Sequence, residues 1–348
     1  MKAVRVHRYR EDPSIDDVPE PQVAGPWDVV VKIGAAGLCR TDLHVVEGQW
    51  DSIQHPVLPY ILGHENAGWV SEIGSAVSNV SVGDTVILHP LVTCGLCPAC
   101  REGQDSHCAD ASFPGLNVDG GMAEYLRTNA RSVVKLDPRL QPAEVAALAD
   151  AGLTAYHAVR KAVPLLPPGS HAVVIGSGGL GHIGVQSLKA LTAAEVTVVD
   201  RSADALELAR TLGADHTVNS ADPAGSTAAG ELLDITGGGA QVVFDFVGEH
   251  GTEPLGIAAL RNRGSYYSIG YGGSVNIDTI EIISREINVV GNLVGTYTEL
   301  TELMTLTAQG RVTLSTRTYD LEDAVQAMHD LDAGRLVGRG ILVPNLNR

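Results

Sequence analysis

Short apolar runs dominate the first 150 positions of the chain. DVVVKIGAAG, NAGWVSEIG and DTVILHP have the pattern of strands, divided by Gly, Pro, Asn and Ser turns. The opening MKAVRVHRYRED alternates in the same way and holds no apolar signal region. This density of short strands predicts a compact β-rich unit. From about residue 152 the rhythm changes. HAVVIG is a buried-strand run and GSGGLGHIGVQSLKAL a turn and helix. EVTVVD is a second strand, and SADALELARTLGA a second helix with Ser202 as its N-cap. QVVFDFVG and GSYYSIG continue the strands. Strands alternating with helices predict a parallel sheet with right-handed crossovers, so the fold class is α/β with a β-rich part. The Gly/Ala/Ser stretch at 219–230 is expected to be a loop. Beyond about residue 295 come two helices, TELTELMTLTAQG and LEDAVQAMHDLDAG, a strand-like piece between them, and a closing GRGILVP.

One run departs from its own pattern. VAALADAGLTAYH, residues 145–157, suits buried helix, yet Asp150 sits in it among small apolar neighbours. A lone buried carboxylate is costly unless something pairs with it. The run therefore predicts a partner for Asp150, or an N-cap role before GLTAYHAV, and the two roles are compatible.

Composition narrows the function classes. A length of 348 residues suggests two domains, and 44% hydrophobic with 19% charged residues is a globular balance. With 24 basic and 41 acidic residues the net charge is −17, which argues against a general nucleic-acid or anionic-membrane surface. No apolar run approaches the roughly 20 residues of a membrane span. A cytoplasmic location is expected. Five cysteines are too few for a disulfide framework, and in the cytosol close cysteines more often hold metal.

Gly176, Gly178 and Gly181 form G-x-G-x-x-G directly after the strand run HAVVI, with Gly179 and Leu180 inside the turn. Asp200 ends the next strand run, at the distance a dinucleotide fingerprint requires. Such glycines let a pyrophosphate approach backbone N–H groups at a helix N-terminus. Asp200 can accept hydrogen bonds from the adenosine ribose and would repel a 2′-phosphate, which favours NAD over NADP. Arg201 beside it works in the other direction. A second constellation, CGLCPACREGQDSHC, places Cys94, Cys97, Cys100 and Cys108 in one hydrophilic loop. Four thiolates fit a closed structural zinc site, with an iron–sulfur cluster as the alternative. Cys39 in GLCRTDLH and His64 in LGHEN are further candidate ligands, weak on spacing alone.

These motifs, in order along essentially the whole chain, resemble a zinc-dependent medium-chain alcohol dehydrogenase: GLCRTDLH, GHE, the four-cysteine lobe, DAGLTAYHA, VVIGSGGLGHIGVQ, VVD and GRGILVP. The resemblance implies a GroES-like catalytic domain over 1–151 and 295–348, and a Rossmann NAD-binding domain over 152–294. It implies two Zn²⁺ per chain. One is structural, on the four lobe cysteines. The other is catalytic, on Cys39, His64 and a third position that maps onto Asp150, where many relatives carry Cys. Glu65 matches a carboxylate able to approach that zinc, and Asp42 a carboxylate that orients His64. Thr41 and His44 match a proton relay. Arg40 and Arg339 match positions near the pyrophosphate, and Thr154 one beside the nicotinamide.

The activity implied is reversible oxidation of a primary or secondary alcohol, aryl or bulky ones included, by hydride transfer to NAD. The resemblance favours a homotetramer, with a dimer as the alternative. Trp50, His89, Phe113, Leu116 and Val294 are candidate pocket residues, each with core packing as its alternative. The competing readings are a polyol dehydrogenase, a zinc-free quinone reductase of the same superfamily, and a non-catalytic NAD- or zinc-binding protein.

Overall fold

A computed structural model describes residues 1–221 and 227–344. Two compact units divide the chain. One comprises Met1–Leu153, Gly295–Gln309 and the described part of Thr313–Arg348; the other comprises Gly310–Val312 and the described part of Thr154–Val294.

The first unit is β-rich. Its main sheet has the strand order 316–320, 339–343, 28–38, 65–73, 85–88 and 133–135, with 125–129 pairing a further stretch of 28–38. A small second sheet joins 14–17, 2–6 and 60–61. Most pairings are antiparallel, and alternate residues such as Val29, Val31 and Ile33 enter one core with Val70, Val86 and Leu88. Register brings distant segments together. Gly37 lies opposite Glu65, and Leu38 opposite Gly340, so residues 37–39, 64–65 and 339–340 meet at one end of the sheet.

The second unit holds a six-stranded parallel sheet in the order 216–219, 195–200, 171–175, 240–245, 260–268, 288–291. Burial on both faces explains the unbroken apolar runs. Ala172 and Val174 face a core with Val185 and Leu188 of the helix Gly181–Leu191. Val173 and Ile175 face the opposite core with Leu232 and Ile257. Strand order reverses direction beside 171–175, which is where open parallel sheets bind ligands. Ser202 caps the helix Ala203–Thr211 as expected, accepting from the Ala205 amide at 3.3 Å.

Four elements differ from the sequence expectation. The stretch expected as a loop at 219–230 includes the start of a helix at Thr227–Ile235, and its residues 222–226 lie outside those described. The VAALADAGLTAYH run is not one helix: a 3₁₀ turn spans Ala146–Leu148 and an α-helix begins at Ala151. Asp150 stands at that break. The helix Thr279–Arg285 and the edge strand Asn288–Gly291 were not foreseen, because their apolar residues are largely exposed and carry no burial periodicity.

Candidate active site

Cys39 follows Asp28–Leu38, the longest strand among the described residues, and is the N-cap residue of the helix Arg40–Val46. Asp42, three residues on, closes a capping box: its Oδ2 accepts from the Cys39 amide at 2.9 Å. Its Oδ1 lies 3.3 Å from His64 Nδ1. On the other side of the ring, His64 Nε2 lies 3.4 Å from Asp150 Oδ2. Phe113 meets the imidazole edge-on, with ring centroids 5.9 Å apart. Neither ring nitrogen completes a hydrogen bond, although His64 is buried. Burial works against a charge on this imidazole, but Asp42 and Asp150 outweigh it and hold the ring's pKa well above the ordinary histidine range. The site favours a cation between these carboxylates.

Potential ligand atoms of Cys39, His64, Glu65 and Asp150 all lie within 4.8 Å of one another. Glu65 is already engaged. Arg339 Nη2 donates to both of its oxygens at 2.5 Å, and the Ala151 amide donates to Oε1 at 2.9 Å. That last bond satisfies an orphan N–H at the start of the helix, which accounts for the break before it. Gly37 leaves room for this carboxylate: a Cβ there would fall 2.1 Å from Glu65 Oε2. Burial raises the Glu65 pKa while Arg339 opposes the rise. The Arg339 guanidinium is buried, held charged by Glu65 and by the neighbouring Cys39. Nothing in sequence spacing signalled this pairing, which spans 274 positions.

The relay candidates share one helix. Thr41 and His44 are both half-buried and three residues apart in Arg40–Val46, hence on one side of it. Arg40 is exposed, 3.9 Å from Asp332, and is not part of the ligand cluster. Thr154 lies buried in the helix Ala151–Ala162. Among the pocket candidates, Leu116 is core, and Trp50 and Phe113 pack against the same core. Val294 is buried with φ +49°. His89 is a latch: its Nε2 is 2.9 Å from the Gly295 carbonyl, and its Nδ1 is 3.3 Å from the Leu91 amide.

The four lobe cysteines also bring their sulfurs within 4.8 Å of one another, and none forms a disulfide. Backbone amides point at them: Cys94 N donates to Cys108 Sγ at 3.3 Å, and Leu96 N and Cys97 N donate to Cys94 Sγ at 3.4 Å. Amides of Cys100 and Ala109 hold the Cys97 pKa down to about 6, while burial pushes Cys100 up to about 12. Such donors stabilise thiolate, the metal-binding form.

In the second unit, Gly176 at φ +84° starts the turn, and a Cβ on Gly181 would fall 1.7 Å from the Gly176 carbonyl oxygen. Only glycine permits that approach. Asp200 braces the turn: its Oδ2 accepts from Ser177 N at 2.7 Å and its Oδ1 from Ser202 N at 2.9 Å. Gly176, Asp200 and Arg201 line a cavity of about 620 Å³ together with Asn219 and His250, which sequence reasoning did not single out. Asn219 ends the strand beside Asp200, so its position carried a readable signal.

Comparison with known proteins shows the family. Residues 25–138 match the alcohol dehydrogenase GroES-like domain, and residues 179–309 match the zinc-binding dehydrogenase family. An NAD-dependent alcohol dehydrogenase of Sulfurisphaera tokodaii is 35% identical over 99% of this chain and 100% of its own length. The chain belongs to the zinc-dependent medium-chain alcohol dehydrogenases. It is an oxidoreductase of that family, built on the GroES-like and Rossmann pair of folds. Within the family, the crystal structure of an alcohol dehydrogenase from the archaeon Aeropyrum pernix superposes with a TM-score of 0.95 at 44% identity, covering 99% of this chain and all of the other. A D-arabinose 1-dehydrogenase (NADP⁺) of Saccharolobus solfataricus is also 35% identical over 99% of this chain and 97% of its own length. No helix among the described residues is long and apolar enough to cross a membrane.

Proposed function

We propose that the protein is an NAD-dependent zinc alcohol dehydrogenase. It interconverts primary or secondary alcohols, aryl and bulky ones included, with aldehydes or ketones. The observation that carries this reading is the convergence of a thiol, an imidazole and a carboxylate at Cys39, His64 and Asp150. Residues 1–151 and 295–348 serve as the catalytic domain and 152–294 as the nucleotide domain.

The donor set suits zinc. A buried imidazole with unsatisfied nitrogens, steadied by Asp42 on the side away from the cluster, is the arrangement a metal-ligating histidine uses. When bound, zinc supplies a Lewis acid that makes an alcohol hydroxyl acidic, and NAD supplies the hydride acceptor. The side chains do the rest. Thr41 Oγ1 accepts the hydroxyl proton as its own passes to His44, which carries it outward. Glu65 stays on Arg339 and the Ala151 amide, leaving Cys39, His64 and Asp150 as the ligands. The turn Gly176–Gly181, with Gly178, Gly179 and Leu180, receives the pyrophosphate; Arg40 contributes positive charge toward it, whereas Arg339, expected there from the resemblance, is buried and neutralised by Glu65. Asp200 takes the adenosine ribose beside Arg201, and Thr154 flanks the nicotinamide. Cys94, Cys97, Cys100 and Cys108 hold a second, fully coordinated zinc. The protein works in the cytoplasm, where these thiols stay reduced.

The test is NADH formation across primary, secondary, aryl and polyol alcohols and aldoses, with NADP in parallel and a chelator-treated control. Chelator-sensitive turnover of simple alcohols is expected. A clear preference for polyols or aldoses would overturn the substrate assignment, and tight NADH binding with no turnover would move the protein to a binding role.

A homotetramer is proposed, with a dimer as the alternative. Support comes from the edge strand Asn288–Gly291, which pairs on one side only. Around it Val289, Ile280, Ile283 and Leu293 are exposed. Bare apolar edges are templates for pairing, and a lysine there is a natural deterrent. Val289→Lys is expected to lower the mass seen by light scattering, with an unchanged mass counting against this interface.

A further inference from the structure

The G-x-G-x-x-G turn is followed at once by His182, a polar residue at a fully buried position. Its Nδ1 lies 2.8 Å from the Gly178 carbonyl oxygen. A carbonyl only accepts, so Nδ1 carries the proton and donates. The His182 backbone amide also reaches that oxygen, at a weaker 3.3 Å. Gln186 Nε2 in turn donates to the His182 carbonyl at 3.0 Å, which holds this first helical turn.

The consequence follows from peptide geometry. In a planar trans peptide the C=O and the following N–H point in opposite directions. Drawing the Gly178 carbonyl inward onto His182 therefore aims the Gly179 N–H outward. The turn itself is exposed at Gly178, where an added Cβ would meet nothing within 4 Å. The helix has no side-chain cap at its N-terminus, and the Gly178, Gly179 and Leu180 amides donate to no acceptor among the described residues. We infer that His182 is a positioning residue for the cofactor: its Nδ1–H locks the Gly178–Gly179 peptide so that the Gly179 amide faces the pyrophosphate. An apolar side chain would fill the same buried space and leave this peptide held only by the longer bond from the His182 backbone amide.

The inference rests on the turn being the pyrophosphate site. The experiment compares wild type with His182→Asn, His182→Gln and His182→Leu by NADH fluorescence titration, by thermal unfolding without cofactor, and by amide exchange over residues 176–182. Asn places its Nδ2 where His carries Nδ1, whereas Gln places its amide one carbon further out. The Leu and Gln variants are expected to bind NADH about five- to tenfold more weakly, the effect of one well-placed hydrogen bond. The Asn variant should stay within about twofold of wild type, since it keeps that bond. Exchange at the His182 amide, which shares the Gly178 carbonyl, should accelerate in Leu and Gln only. Wild-type affinity in the Leu variant, or Asn and Gln weakened equally, would overturn the positioning role while leaving the cofactor reading intact. A wild type that does not bind NADH would overturn both. Should the Leu variant fail to fold, the Asn-against-Gln contrast still decides.

Discussion

Asp150→Ala is expected to cut turnover on the order of a thousandfold, the scale of losing a principal electrostatic stabiliser at a reacting centre. It should also leave one zinc per chain where two are proposed for the wild type. Asp150 stands between a 3₁₀ turn and a helix, with Oδ2 3.4 Å from His64 Nε2. Without it the cluster keeps a thiol and an imidazole, because Glu65 is tied to Arg339 and the Ala151 amide. Two ligands do not hold zinc against solvent. Asp150→Cys should keep both metals, since a thiolate carries the same charge. The comparison then isolates ligand hardness, and aspartate should give the more acidic, more easily stripped zinc. Metal analysis after gel filtration reads both variants. Two zincs per chain retained in Asp150→Ala would remove Asp150 from the ligand set.

Glu65→Ala should destabilise the protein by about 3 to 5 kcal/mol, the usual cost of leaving one member of a buried ion pair alone. The guanidinium of Arg339 is 3% exposed and its Nε already lacks a partner, so it has nowhere else to turn. The paired replacement Glu65→Leu with Arg339→Met should recover most of that loss, because apolar residues of similar volume need no desolvation of charge. Denaturant unfolding of the zinc-loaded protein, followed by a probe in the first unit, measures all three. A single variant as stable as wild type would mean that Arg339 finds another anion or water.

The parts of this molecule that were legible in sequence are those encoded within a few residues. The turn at Gly176–Gly181 follows a strand that is apolar on both faces. Asp200 ends the next such strand, and four cysteines share one loop. Asp150 stood out because its carboxylate sits in an Ala-rich run. Other features depend on sheet register, which spacing does not carry. Glu65 meets Arg339 because Gly37 pairs with Glu65 and Leu38 with Gly340. His89 resembled a pocket residue, yet its ring closes onto Gly295, 206 positions away. The edge strand at 288–291 was missed because its exposed valine shows no inward-facing partner pattern.

The register that joins Leu38 to Gly340 also sets an order in time. Cys39 and Arg339 lie three hundred positions apart. On a ribosome adding roughly 5 to 20 residues per second, that interval lasts roughly 15 to 60 s. For most of it Glu65 has been made but its counter-ion has not. The whole nucleotide-binding unit emerges in the meantime, free to fold on its own local contacts. The cysteine lobe, complete within 15 residues, can capture metal while translation continues. Until the strand Arg339–Val343 docks, the Glu65 carboxylate beside the Cys39 cluster lacks the guanidinium that engages it in the finished fold.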